Sequence, residues 1–250
     1  MGHDSWQTIT ASASPGGEHM KTVKRHRLLA LIGVGTFLAA LLGTTAANAK
    51  EKVREIPLDE DAWAKITFDD IAPTDYKAQK GILTATVDQS ASALIYAFDQ
   101  PQTVQAAGFQ WQNQGTLKVK SAKHEASKVG DDALLRVGVM IAGPKPTIPF
   151  FAPAWIKKTA SALKQPSDRM IYLTVGSKHK TGKSWSSPYA DSIHSVAVAS
   201  EKAKNSWQTV NHRFKTAQSV VGLWLMADGD NTGSQFQVKL KNLQLIIEDR

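Results

Sequence analysis

Val220-Val221-Gly222-Leu223-Trp224-Leu225-Met226-Ala227 runs into Asp228-Gly229-Asp230-Asn231-Thr232-Gly233, and after Ser234-Gln235 comes Phe236-Gln237-Val238-Lys239-Leu240. The first piece is an apolar run closed by turn residues, as in a strand buried on both faces. The last alternates strictly, so Phe236, Val238 and Leu240 share one face while Gln237 and Lys239 share the other. Strand, polar turn, strand within about twenty residues points to an all-β fold.

The same texture extends outward. Strands are expected at 64–68, 82–87, 93–98, 106–112 and 134–141, then at 170–175, 193–199, 207–211 and 243–247. Alternation in 82–87 reads as mixed. Short strands separated by turn signals predict a jelly-roll-like β-sandwich. One region departs from this pattern. Gly143 to Trp155 carries Pro144, Pro146, Pro149 and Pro153, which cannot supply the donors of a central strand. After it, Ile156, Ala160 and Leu163 recur at helical spacing, predicting one short inserted helix over 154–165 that Pro166 ends.

The N-terminus reads as an address. Lys21, Lys24, Arg25 and Arg27 precede an uncharged apolar run from Leu28 to Leu42, and Ala47 and Ala49 form an A-x-A site. A run this short falls below the roughly 20 residues of a spanning helix, so residues 20–49 are expected to be a cleaved bacterial-type signal peptide. Residues 1–19 lack signal character and read as an extension ahead of a start at Met20. The mature chain, 50–250, is then periplasmic or secreted, and not an integral membrane protein. Residues 50–62 form a charged, loosely packed segment, and 63–250 form one sandwich domain.

The chain has no cysteine, which excludes disulfides, thiolate metal sites and cysteine nucleophiles. Residues 1–49 hold four basic and two acidic residues, leaving 26 against 20 in the mature part. Those lysines are scattered, without the clustered basic patch of a nucleic-acid binder. The balance is compatible with weak attraction to acidic polysaccharide. The mature histidines, His124, His179, His194 and His212, lack zinc-ligand spacing. No G-x-S-x-G elbow supports a hydrolytic triad.

The candidate site is polar. Asp131 and Asp132 open a strand that carries Arg136 among apolar residues. A buried arginine needs a carboxylate partner, expected from a neighbouring strand or from the 228–233 loop. Asp228, Asp230 and Thr232 resemble the first half of a calcium loop, so Asp228 and Asp230 are candidate metal ligands. Lys239 stands where an EF-hand needs glutamate, which excludes that motif. No other cofactor is expected. The ligand-binding set is Asp131, Asp132, Arg136, Asp228, Asp230 and Asn231. Trp185 and Tyr189, in a polar loop, are expected to stack on a ligand ring.

Gly130-Asp131-Asp132 with Arg136-Val137, Ile171-Tyr172, Ser187-Pro188-Tyr189, Trp207 and Leu225-Met226-Ala227-Asp228-Gly229-Asp230-Asn231-Thr232-Gly233 together resemble a bacterial exported family known as domain of unknown function 3047. The resemblance covers about 66–247. It implies export and a single β-sandwich, and it brings no activity. The chain departs from the family where an acid is expected after Trp207; here stand Asn211-His212-Arg213.

Three functions follow as expectations. The first is a non-catalytic periplasmic module binding a polar ligand, carbohydrate above all. The second is an accessory protein using the Pro-rich insertion, with Phe150, Phe151 and Trp155, against an envelope partner. The third is a carbohydrate-active enzyme using paired carboxylates.

Overall fold

A computed structural model describes residues 50–148, 150–200 and 205–249. The expected signal peptide and N-terminal extension lie outside the described residues. Among the described residues no helix is long and apolar enough to cross a membrane.

Strands dominate the described chain. In order come β1 (Glu51–Glu55), β2 (Ala64–Thr67), β3 (Asp75–Gln79), β4 (Ile82–Asp88), β5 (Ala91–Thr116), α1 (Ala122–Glu125) and β6 (Ala133–Ala142). There follow α2 (Ala154–Ala162), β7 (Ser167–Ser177), β8 (Ser184–Ser186), β9 (Ile193–Ser200), β10 (Gln208–Asp228) and β11 (Gln235–Glu248). The strand order is β3-β4-β11-β5-β10-β6-β7-β9-β8, with β1 on β11 and β2 on β5. All pairs are antiparallel except β7 with β9.

The two layers of the sandwich come from two long strands. Residues 91–97 of β5 pair with the end of β10, and residues 106–111 pair with its start. The ladder is irregular between, at Val220/Gly222 and Arg213/Gln218. Pro101 lies in that stretch of β5, where a missing donor does least harm. The segments expected at 93–98 and 106–112 are thus one strand, as are 207–211 with 220–227 and 236–240 with 243–247.

Alternation fills the space between the layers. Leu83, Ala85 and Val87 on β4 meet Phe236, Val238 and Leu240 on β11, and Phe109 and Trp111 on β5. Leu223, Leu225, Val137, Val139 and Leu173 close the core from the other layer. Burial in β4 alternates strictly, so its mixed reading is corrected. Each fully buried side chain of this kind contributes about 1.5–3 kcal/mol.

A second apolar cluster lies on the outer side of the β6–β10 layer: Ile66, Ile95, Met140, Met170, Trp224 and Met226. The inserted helix α2 covers it. Trp155, Ala162 and Leu163 pack there, and Trp155 meets Phe68 edge-on at 5.7 Å. The packed stripe therefore runs through Trp155 and Ala162 in place of the expected Ile156 and Ala160, while Leu163 packs as expected. The helix stops at Ala162, where Leu163 turns extended, short of the predicted 165. The charged segment expected to be loose is instead tied in: β1 pairs with β11, and Ile56 and Leu58 enter the core.

Candidate functional site

Two neighbouring strands assemble the site. In the β6–β10 ladder, Arg136 stands opposite Met226 and Ala133 opposite Asp228. The start of β6 thus lies against the end of β10. Arg136 Nη1 donates to Asp228 Oδ2 at 2.9 Å, and Nη2 donates to Asp131 Oδ1 at 2.7 Å. Arg136 and Asp228 are both buried, at 2% exposure each. The Tyr172 ring of β7 lies 5.6 Å from the guanidinium carbon.

Asp132 has a different task. Its carboxylate accepts from the backbone N–H of Asn231 at 3.2 Å and of Thr232 at 2.8 Å, and from Asn231 Nδ2 and Thr232 Oγ1. Asp132 is fully buried and holds the acidic loop in shape. Gly233 takes φ +62° to close the turn, the left-handed conformation glycine adopts without strain. Ser234 Oγ accepts from Lys118 N and ties the loop to the end of β5. Asn231 spends its amide on Asp132 and on Asp230 Oδ1. Thr232, read in the sequence as part of a calcium-loop pattern, instead donates its N–H and hydroxyl to Asp132.

The electrostatics follow from burial. Desolvation raises Asp228 well above the usual carboxylate range, against the pull of Arg136, and the nearby Asp132 and Asp230 charges add to the rise. Burial also raises Asp131 despite Arg136. For Arg136, burial disfavours the cation, but Asp131 and Asp228 outweigh it and hold the charge.

Oxygens of Asp132, Asp228 and Asp230 lie within 4.8 Å of one another, a geometry that could hold a cation. Calcium takes about six to eight oxygens. Asp132 already accepts four donors, and one oxygen of Asp228 serves Arg136. The residues present fit calcium poorly without rearrangement.

Beside the clasp lies a cleft of about 440 Å³, lined among others by Asp131, Arg136, Asp228, Asp230, Asn231 and Tyr189. Its apolar walls include Phe68, Trp155, Tyr172, Trp224 and Met226. Tyr189 is 57% exposed at the rim, and its OH donates to Lys128 O at 3.2 Å. Four buried polar atoms on lining residues have no partner: Arg136 Nε, Asp228 Oδ1, Thr159 Oγ1 and Trp224 Nε1. Trp185 is not brought to the cleft. It sits on the edge strand β8 with its ring stacked on His179, centroids 4.1 Å apart. Phe68, Trp155, Tyr172 and Trp224 are cleft aromatics that the sequence did not assign to the site. The signal available for Trp155 was its place beside the Pro-rich insertion.

The fold and site define a β-sandwich with a polar clasp at the edge of an aromatic cleft. The chain belongs to the family described as "Protein of unknown function (DUF3047)", whose model matches residues 61–244. No curated protein matches the chain. Solved structures similar to it include a xylan-binding module, CBM86, of Roseburia intestinalis, at 11% identity and TM-score 0.33, covering 80% of this chain and 96% of that one. Another is a family 11 carbohydrate-binding module of Clostridium thermocellum, at 8% identity and TM-score 0.38, covering 78% and 95%. A third is the xyloglucanase domain of NopAA from Sinorhizobium fredii, at 10% identity and TM-score 0.38, covering 81% and 99%. At such distances the functional reading rests on the site itself.

Proposed function

We propose that the chain is an exported, non-catalytic binding module whose cleft takes a polar ligand of the carbohydrate class. One observation carries this reading: unpartnered buried polar atoms around an aromatic-walled cavity of about 440 Å³. Buried polar groups without partners are uncommon and destabilising. A cavity of this size, mostly apolar with a few convergent polar groups, is the usual form of a small-ligand site. A sugar presents apolar ring faces to Trp155 and Tyr189 and hydroxyls to the Arg136 clasp. The test is a glycan array followed by calorimetry on Tyr189→Ala and Trp155→Ala. Absence of any glycan ligand, or affinity untouched by both variants, overturns the proposal.

A second reading has its own observation. Phe150 and Phe151, in the Pro-rich insertion, are 94% and 87% exposed. An accessory role would use them against an envelope partner. Pull-down with the Phe150→Ser, Phe151→Ser variant separates this from glycan binding.

A further inference from the structure

The outer face of the other layer carries a second kind of surface. Antiparallel register sets cross-strand partners on one face. Between β5 and β11 those partners are Gln114 with Gln237, Gln112 with Lys239, and Gln110 with Lys241. Toward β10, Gln110 faces Thr209 and Gly108 faces Asn211. The alternate residues, Trp111, Val238 and Leu240, point into the core. This face is thus lined by side-chain amides, with two lysines at its centre.

Two polar cavities lie along it. One of about 170 Å³ is lined by Gln112, Gln114, Gln237 and Lys239. The other, of about 600 Å³, includes Gln110, Thr209, Asn211, Asn242 and Gln244. Adjacent positions on one face of β5, Gln110 and Gln112, join them. At Gly108 a Cβ would lie 2.9 Å from Asn211 Oδ1 and 3.3 Å from Gln244 Nε2, so the missing side chain lets these amides converge. Among the described residues no ion pair engages Lys239 or Lys241. The acids lining either cavity, Glu55 and Asp59, belong to the larger one. Lys241 Nζ lies 4.1 Å over the Trp207 ring.

We propose that this face is a second ligand site, taking an extended anionic polysaccharide of the uronic-acid class. A side-chain amide carries two donors and two acceptor positions, so Gln110, which already bonds Thr209 and Asn242, keeps one of each for a hydroxyl. The central lysines supply counter-charge for carboxylates, and the Trp207 ring positions one of them, Lys241. The face shares no lining residue with the Arg136 cleft, so the two sites fail or succeed separately.

The test is affinity electrophoresis of the purified protein in polygalacturonate, with neutral hydroxyethylcellulose as control. Retardation is expected in polygalacturonate alone. The Lys239→Gln, Lys241→Gln double variant should bind roughly two- to tenfold more weakly, the scale of two exposed charge pairs. Gln112→Ala should also weaken it, and Tyr189→Ala should leave it unchanged. Thermal melts of these surface variants should match the parent. No retardation, or equal retardation by the neutral polymer, overturns the proposal. So does an equal loss in Lys180→Gln, Lys183→Gln, which would trace retention to overall charge.

Discussion

Replacing Arg136 by methionine isolates the energetics of the clasp. The side chains of Arg136 and Asp228 are each 3% exposed, while that of Asp131 is 15% exposed. Asp131 can rehydrate when the guanidinium goes; Asp228 cannot. Removing one member of a buried pair costs about 3–5 kcal/mol, because the other charge is left uncompensated. For a domain of this size that is about 6–20 °C in Tm, at roughly 2–4 °C per kcal/mol. The penalty should depend on pH. Asp228 already titrates above its unfolded value near 3.9 because burial disfavours its charge. Losing Arg136 removes the opposing pull and raises it further. A carboxyl raised in the native state binds a proton that the unfolded chain releases, so native stability falls as pH rises through the native pKa. The gap between parent and Arg136→Met should therefore be small near pH 5 and widen toward pH 8, by up to about 1.4 kcal/mol per unit. Urea denaturation across that range measures it. The double variant Arg136→Met, Asp228→Asn should regain most of the loss and flatten the slope. A single-variant cost under about 1 kcal/mol, or a double variant no more stable than the single, would refute the reasoning.

Asp132→Ala should cost about 2–4 kcal/mol, since a buried charged acceptor leaves the Asn231 and Thr232 amides unpaired; hydrogen exchange at those two amides should accelerate selectively. Tyr189→Ala, at an exposed position, should change stability by less than about 0.5 kcal/mol, yet weaken any sugar in the cleft about three- to tenfold by calorimetry, the scale of one aromatic contact. Calcium or EDTA should move Tm by less than about 1 °C, because a cation that binds weakly adds little to the native state; a larger rise with calcium would show that the acidic loop rearranges to coordinate it.

What was legible follows physical lines. The alternation of Phe236, Val238 and Leu240 marked a one-sided strand, and they are buried at 5%, 2% and 2%. Arg136 among apolar residues demanded a carboxylate, and Asp228 supplies it. The continuity of β5 was hidden because Asp99, Gln100 and Pro101 resemble a loop, although they run on within the strand where its ladder with β10 is irregular. β1 has no apolar period, and its pairing with β11 comes from that neighbour's edge. The aromatic wall was hidden for another reason. β6 and the end of β10 are buried on both faces, so no period says which side Trp224 joins. Trp185 misled because its loop is polar, while His179, a chain neighbour six residues away, covers the ring.

The passage of β5 through both layers has a consequence for how this domain can come apart. Ala91, at one end, lines the aromatic cleft, and Gln114, near the other, lines the amide face. No cut in the chain yields one intact layer, since each half-strand would leave its neighbours in β10 and β11 with an open edge. The domain should therefore open as one cooperative block, with the slowest-exchanging amides of both layers reporting a single opening energy. Fragments made by splitting the gene near Pro101 should be insoluble alone and recoverable only when refolded together.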